Sequence, residues 1–131
     1  MLVLISSILF LGCEEEESRN DFSNLPPFSP IVDLQPSVPY TDDDLEAIII
    51  SNSVDPDGNE VVLSYMWYKD DELQADLTGP TVSADLTDRG EIWTVAVISN
   101  DGSLNSADTR RSVTIRNSIP MIDTTSLMWV D

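Results

Sequence analysis

Oxygen-bearing side chains at alternating positions carry the best-defined chemistry in this chain. Asp55-Pro56-Asp57-Gly58-Asn59-Glu60 sets carboxylate or amide oxygens at 55, 57, 59 and 60 around a glycine. Hard cations such as Ca2+ take ligands of that type. A self-sufficient Ca2+ loop of this pattern closes with a Glu at about its twelfth position. Here Val61, Val62 and Leu63 follow instead, so a second loop would have to contribute. Asp101, in the turn Asn100-Asp101-Gly102, is the candidate, although sequence leaves open whether it shares an end of the fold with Asp57. The same residues equally suit a solvated Asp/Asn/Gly turn. Both readings stand at this point: a Ca2+ site on Asp55, Asp57, Asn59, Glu60 and Asp101, or plain turns.

Other chemistry is thin. The chain has no His, which removes the commonest general base, the usual zinc ligand and any Ser-His triad. Ser and Thr are plentiful, but none stands in a Gly-x-Ser-x-Gly turn. Asp42-Asp43-Asp44 and Asp70-Asp71-Glu72 read as solvated loops that keep sheet edges from sticking. The expectation is a protein that is not an enzyme and has no catalytic residues. With 24 acids against 6 bases the net charge is −18, which repels nucleic acid and anionic lipid. The segment 24–117 alone holds 17 acids and 5 bases, a net −12, so the acidity belongs to the folded part as well.

The single Cys, Cys13, leaves no intrachain disulfide to form. It directly follows Met1–Gly12, a continuous apolar run of 12 residues. That run is well short of the ~20 residues needed to span a bilayer and has the length of a signal-peptide core. Phe10-Leu11-Gly12-Cys13 resembles the lipobox of bacterial lipoproteins, although Phe10 stands where Leu is usual and no basic residue precedes the run. The resemblance implies lipidation of Cys13 and a membrane-anchored N-terminus on the outer face of a bacterial membrane; an ordinary secretory signal, and a secreted chain, is the alternative. Glu14–Glu17 then form a like-charged tract that stays solvated and serves as a spacer. The expected organisation is a signal peptide at 1–12, an acidic and Pro-rich tether at 13–30, one sandwich domain at 31–117 and the start of a second repeat or a tail at 118–131.

Strands alternate with acidic turns throughout the body. Ile31–Leu34 and Leu45–Ser51 read as the first two strands, the second with three consecutive Ile. Val61–Lys69 alternates with a period of two, putting Val61, Leu63, Tyr65 and Trp67 on one face. A weaker strand is expected over Pro80–Leu86. Ile92–Ser99 follows with Trp93, Val95 and Val97 on one face, and Arg111–Arg116 closes with Val113 and Ile115 inward. Ile48, Ile50, Met66, Tyr68 and Ile98 fall outward, an apolar stripe open to a ligand or a neighbouring domain. The fold class is all-β, an antiparallel sandwich of about seven strands.

The stretch from Asn24 to Pro120 resembles the immunoglobulin-like repeats found in tandem in large bacterial secreted and surface proteins. The matching pieces are Asp43-Asp44-Leu45, Asp55–Gly58, Tyr65–Tyr68, Gly90–Thr94, Asn100–Gly102 and Asn117–Pro120. The resemblance implies a structural or interaction module with no disulfide staple, since Ala47 and Val95 stand where paired Cys would. Burial must replace it, with Trp67, Trp93, Leu45, Ile49, Leu63, Val97 and Val113 as the expected core. Asn24-Leu25-Pro26-Pro27 is echoed 93 residues later by Asn117-Ser118-Ile119-Pro120, either the start of a second repeat or a tail. Implied partners are the membrane, adjacent repeats, and an extracellular protein or glycan.

Overall fold

A computed structural model describes residues 23–118. Cys13, the apolar run, the acidic tract and the second copy of the Asn-x-x-Pro motif beyond Ser118 lie outside the described residues. Seven strands form: β1 Ile31–Gln35, β2 Leu45–Ser51, β3 Val62–Lys69, β4 Glu72–Leu73, β5 Thr81–Val82, β6 Ile92–Asn100 and β7 Thr109–Thr114. They make two antiparallel sheets, β1-β2-β5 and β4-β3-β6-β7. The all-β antiparallel sandwich expected from the strand spacing is the fold observed.

The period-two reading of the two Trp strands holds for their inner faces, although Val61 lies outside β3 and Ala96, between Val95 and Val97, is buried as well. β3 pairs with β6 from Val62↔Asn100 to Lys69↔Trp93 without a break. Trp67, Trp93, Val95 and Val97 are buried on the inner face, while Leu63 and Tyr65 pack against them. The two indoles, diagonal neighbours on adjacent strands, meet edge-on with centroids 6.4 Å apart, the arrangement their quadrupoles favour. Val32, Leu34, Leu45, Ala47 and Val82 close the core from the opposite sheet. Ala47 and Val95 are 5% and 0% exposed and belong to this core.

The expected strand over Pro80–Leu86 is corrected. Only Thr81–Val82 is strand, and Ala84–Leu86 is a 3-10 turn. Ser83 caps that turn by accepting Asp85 N–H at 3.3 Å, and Leu86 points out to solvent. Ser and Asp offer the backbone local hydrogen bonds that compete with a ladder, and here the local bonds win. The outward stripe is also more covered than its alternation implies. Ile50 is exposed, but Ile48, Met66, Tyr68 and Ile98 are half-buried, and the Arg110 guanidinium lies 5.0 Å from the Tyr68 ring. Ile50 stands at a register shift, because Ile31 pairs with Ser51 and Val32 with Ile49, which leaves it outside the ladder.

Where the chain enters and leaves follows from the same pairings. β1 begins beside Ser51, at the end of β2, and Phe28 N–H donates to Val54 O at 3.0 Å. The segment before β1 therefore lies against the β2–β3 and β6–β7 loops. At the other end Arg116 N–H donates to Pro39 O at 2.8 Å, beside the β1–β2 loop. Entry and exit sit at opposite ends of the strands, about 30 Å apart for a nine-residue strand such as β6.

Candidate functional site

The Asp55–Asn59 turn is built by its first residue. Asp55 Oδ1 accepts Asp57 N–H at 2.8 Å and Asn59 N–H at 3.2 Å, and Gly58 N–H returns to Asp55 O at 3.1 Å. Gly58 sits at φ 82°, a left-handed conformation that suits glycine. Asp55 becomes 94% inaccessible in this role, at 6% exposure. The β6–β7 turn follows the same logic. Asp101 Oδ1 accepts Ser103 N–H and Leu104 N–H, both at 2.7 Å, over Gly102 at φ 101°.

Asn24 joins the two turns. Its Nδ2 donates to Asp101 Oδ2 at 2.7 Å, and its Oδ1 accepts from Asn59 Nδ2 at 2.9 Å. One residue on, Leu25 N–H donates to Asp57 Oδ2 at 2.7 Å. The structure thus answers what sequence left open: Asp101 and the Asp55–Asn59 turn share one end of the sandwich, the entry end. Of the five candidates, Asp55, Asp57, Asn59 and Asp101 belong to this linked group. Glu60 is exposed and joins none of these contacts. Asn24 is the member sequence reasoning passed over. Its signal was present in the Asn-x-x-Pro motif, read there as a repeat boundary and not as a side chain with partners.

The electrostatics centre on Asp101 and Asp55. Leu104 N–H does most to hold the Asp101 carboxyl below the ordinary value of 3.8; desolvation opposes this, and Ser103 N–H, the Asn24 amide and the Asp55 side chain add to the lowering. Asp55 Oδ2 is buried with no hydrogen-bond partner. Among the described residues no three or more His, Cys, Asp or Glu side chains gather as a metal centre. The Asp55 and Asp101 turns are instead joined through Asn24 and Asn59, with Asp57 on the first of them. An open depression of about 550 Å3 runs alongside, lined by Asn52, Val54, Asp55, Asn59 and Leu63 among others.

Members of the remaining acidic runs bind backbone N–H groups or form turns. Asp43 Oδ2 accepts Tyr40 N–H at 2.8 Å and Asp44 Oδ1 accepts Ala84 N–H at 2.7 Å. Asp70 and Asp71, at φ 49° and 71°, form the two-residue hairpin turn between β3 and β4 in the left-handed geometry that such turns favour. At the exit end Glu91 accepts from Trp93 Nε1 at 2.9 Å and Asp88 N–H at 2.7 Å, and pairs with Lys69 at 3.3 Å. No helix among the described residues is long and apolar enough to cross a membrane. No protein-family model, curated protein or solved structure matches the chain.

Proposed function

We propose that this chain is a non-enzymatic, lipid-anchored protein of the bacterial cell envelope whose immunoglobulin-like sandwich is a structural spacer. The observation that carries this reading is the placement of entry and exit at opposite ends of the strands. A module threaded in that way adds its own length, about 30 Å, to whatever it connects. Its two central Trp are spent on the core, at 0% and 1% exposure, which leaves them unable to serve a ligand. Cys13, directly behind the apolar run, supplies the anchor, and the acidic tract keeps the sandwich clear of an anionic surface.

Expression in a bacterial host with labelled palmitate tests the anchor. Label should appear on the wild-type chain, which should fractionate with membranes, and Cys13→Ser should lose both properties. An unlabelled, freely soluble wild-type chain refutes it. An interaction role is the second reading. It is favoured by Phe28 and Val54, bonded neighbours at the entry end that are 63% and 62% exposed. An adjacent repeat, an extracellular protein or a glycan would be the partner there.

A further inference from the structure

The flank of the sandwich opposite β1 and β7 is only half closed. On that side β5 reaches β2 at Leu45 and Glu46, and Ala47 N–H donates to Pro80 O at 2.7 Å. β4 covers β3 at Tyr68 and Lys69, and Gln74 N–H donates to Trp67 O at 2.8 Å. Nothing among the described residues pairs there with Ile48–Ser51 or Val62–Met66. Backbone direction alternates along a strand, so Leu63 and Tyr65 aim their N–H and C=O groups the same way as Trp67, toward this side. The core is thin at the same place. Ile49, Leu63 and Tyr65 pack on it but are only partly buried, and the open depression of about 550 Å3 beside Val54, Val61 and Leu63 continues the gap. Free backbone donors and acceptors over uncovered apolar side chains form a template for another strand.

Charge decides which strand fits. Residues 31–88, which build both open edges, hold 14 acids and one base, a net −13. That base, Lys69, is paired with Glu91 at 3.3 Å. Residues 89–118 hold 3 acids and 4 bases, a net +1, so the negative charge of the domain belongs to the half that carries the open flank. The free part of β3 lies between Asp57 and Glu60, just before it, and Glu72 and Asp76, on either side of the Gln74 that bonds to Trp67. A second copy pairing through this edge meets its own acids and is repelled. A strand flanked by Lys or Arg is drawn in.

We propose that the Val62–Met66 edge of β3 binds an extended segment of another protein, apolar at alternate positions and flanked by Lys or Arg, by adding it as a strand to the β4-β3-β6-β7 sheet. The open edge spans about 16 Å, the length of a short strand. The incoming backbone takes up the free N–H and C=O groups of Leu63 and Tyr65. Its inward side chains complete the cover over Leu63, Tyr65 and Ile49, and its flanking cations meet the acids at each end. The proposal rests on the interaction reading and adds to it a binding mode and a partner chemistry.

The test uses the full chain in mild detergent at low ionic strength, with synthetic peptides followed by titration and by amide hydrogen exchange. The first peptide is Lys-Lys-Val-Thr-Val-Thr-Val-Lys-Lys; a second replaces its central Val-Thr by Pro-Pro, and a third replaces every Lys by Glu. The first should bind and, at saturation, slow exchange at the Leu63 and Tyr65 amides by at least about tenfold. The Pro peptide keeps the charge but lacks a ladder donor in either register, and should bind at least about fivefold more weakly. The Glu peptide should not bind. Val62→Lys and Gln35→Lys add the same charge at two exposed positions, on this edge and on β1. Val62→Lys should weaken binding at least about threefold, and Gln35→Lys should leave it nearly unchanged. The proposal is overturned if the first peptide does not bind, if the Pro peptide binds as well as the first, or if both Lys variants weaken binding equally. It is also overturned if exchange slows at Phe28 and Val54 in place of Leu63 and Tyr65, a result that leaves the interaction reading standing. Slow exchange at Leu63 and Tyr65 in the free chain overturns it too, assigning the edge to a second copy where it depends on concentration and to another segment of this chain where it does not.

Discussion

Replacing Trp67 isolates what holds this sandwich together without a disulfide. The side chain is fully buried, its indole N–H donates to Gly79 O at 2.8 Å, and its ring meets Trp93 edge-on. Trp→Ala in such a site costs about 3–5 kcal/mol, of which the aromatic pair accounts for about 0.5–1.5. A domain of this size has about 5–15 kcal/mol in total, so Trp67→Ala removes between about a fifth and all of it. With a urea dependence of about 1.5 kcal/mol per molar, the midpoint should drop by roughly 2–3 M. Trp67→Phe keeps a ring in the core but strands the Gly79 carbonyl, a loss of about 1–3 kcal/mol, or roughly 1–2 M. Urea titrations read by circular dichroism measure both without relying on the remaining Trp residues. If Trp67→Ala moves the midpoint by less than about 1 M, burial at Trp67 is not what holds the sandwich together, and the reasoning fails.

Two further outcomes follow from the hydrogen bonding. Burial pushes the Glu91 carboxyl up, but bonds from the Trp93 indole, Asp88 N–H and Lys69 outweigh it and hold the group below its ordinary 4.5. A depressed acid stabilises the fold above its unfolded value and loses that contribution as it protonates. The stability gap between wild type and Glu91→Gln should therefore be constant at neutral pH and shrink below pH 4.5; a gap unchanged down to pH 3 would refute this. Ser99 Oγ is buried with no partner, whereas Ser106 Oγ accepts Ser99 N–H at 3.0 Å. Ser99→Ala should be neutral or slightly stabilising, while Ser106→Ala should cost about 1 kcal/mol. Equal losses in chemical denaturation would contradict that assignment.

Most of the fold was legible because a half-buried strand writes its orientation in alternate residues. Val61 to Tyr68 and Ile92 to Ser99 show this pattern, and their inner faces are the ones expected. Core members outside long strands were harder to see. Pro30 and Pro39 are fully buried, yet they lie in segments with no periodicity, where burial depends on what the rest of the chain brings over them. The short β5 and its 3-10 turn were misread for a related reason: alternation of Val82, Ala84 and Leu86 looks like a strand until Ser83 and Thr87 draw the backbone into local bonds.

For the candidate site the division is sharper. Asp55, Asp57, Asn59 and Asp101 were identifiable because their residue types dictate both tight turns and oxygen chemistry. Whether two turns 46 residues apart, Asp55 to Asp101, meet or face opposite ends depends on strand direction and pairing, which no local pattern encodes. The antiparallel β3–β6 ladder decides it, bringing the residues before Val62 beside those after Asn100. Recruitment of Asn24 came from tertiary structure too, since the entry segment reaches both turns only once β1 has paired with β2. The sequence by itself determined strands, turns and the chemistry of each side chain, because those are set by neighbours along the chain. Tertiary structure alone decided which acidic turns share an end of the sandwich and which oxygen is left unpaired, because long-range pairing sets distances between residues far apart in sequence.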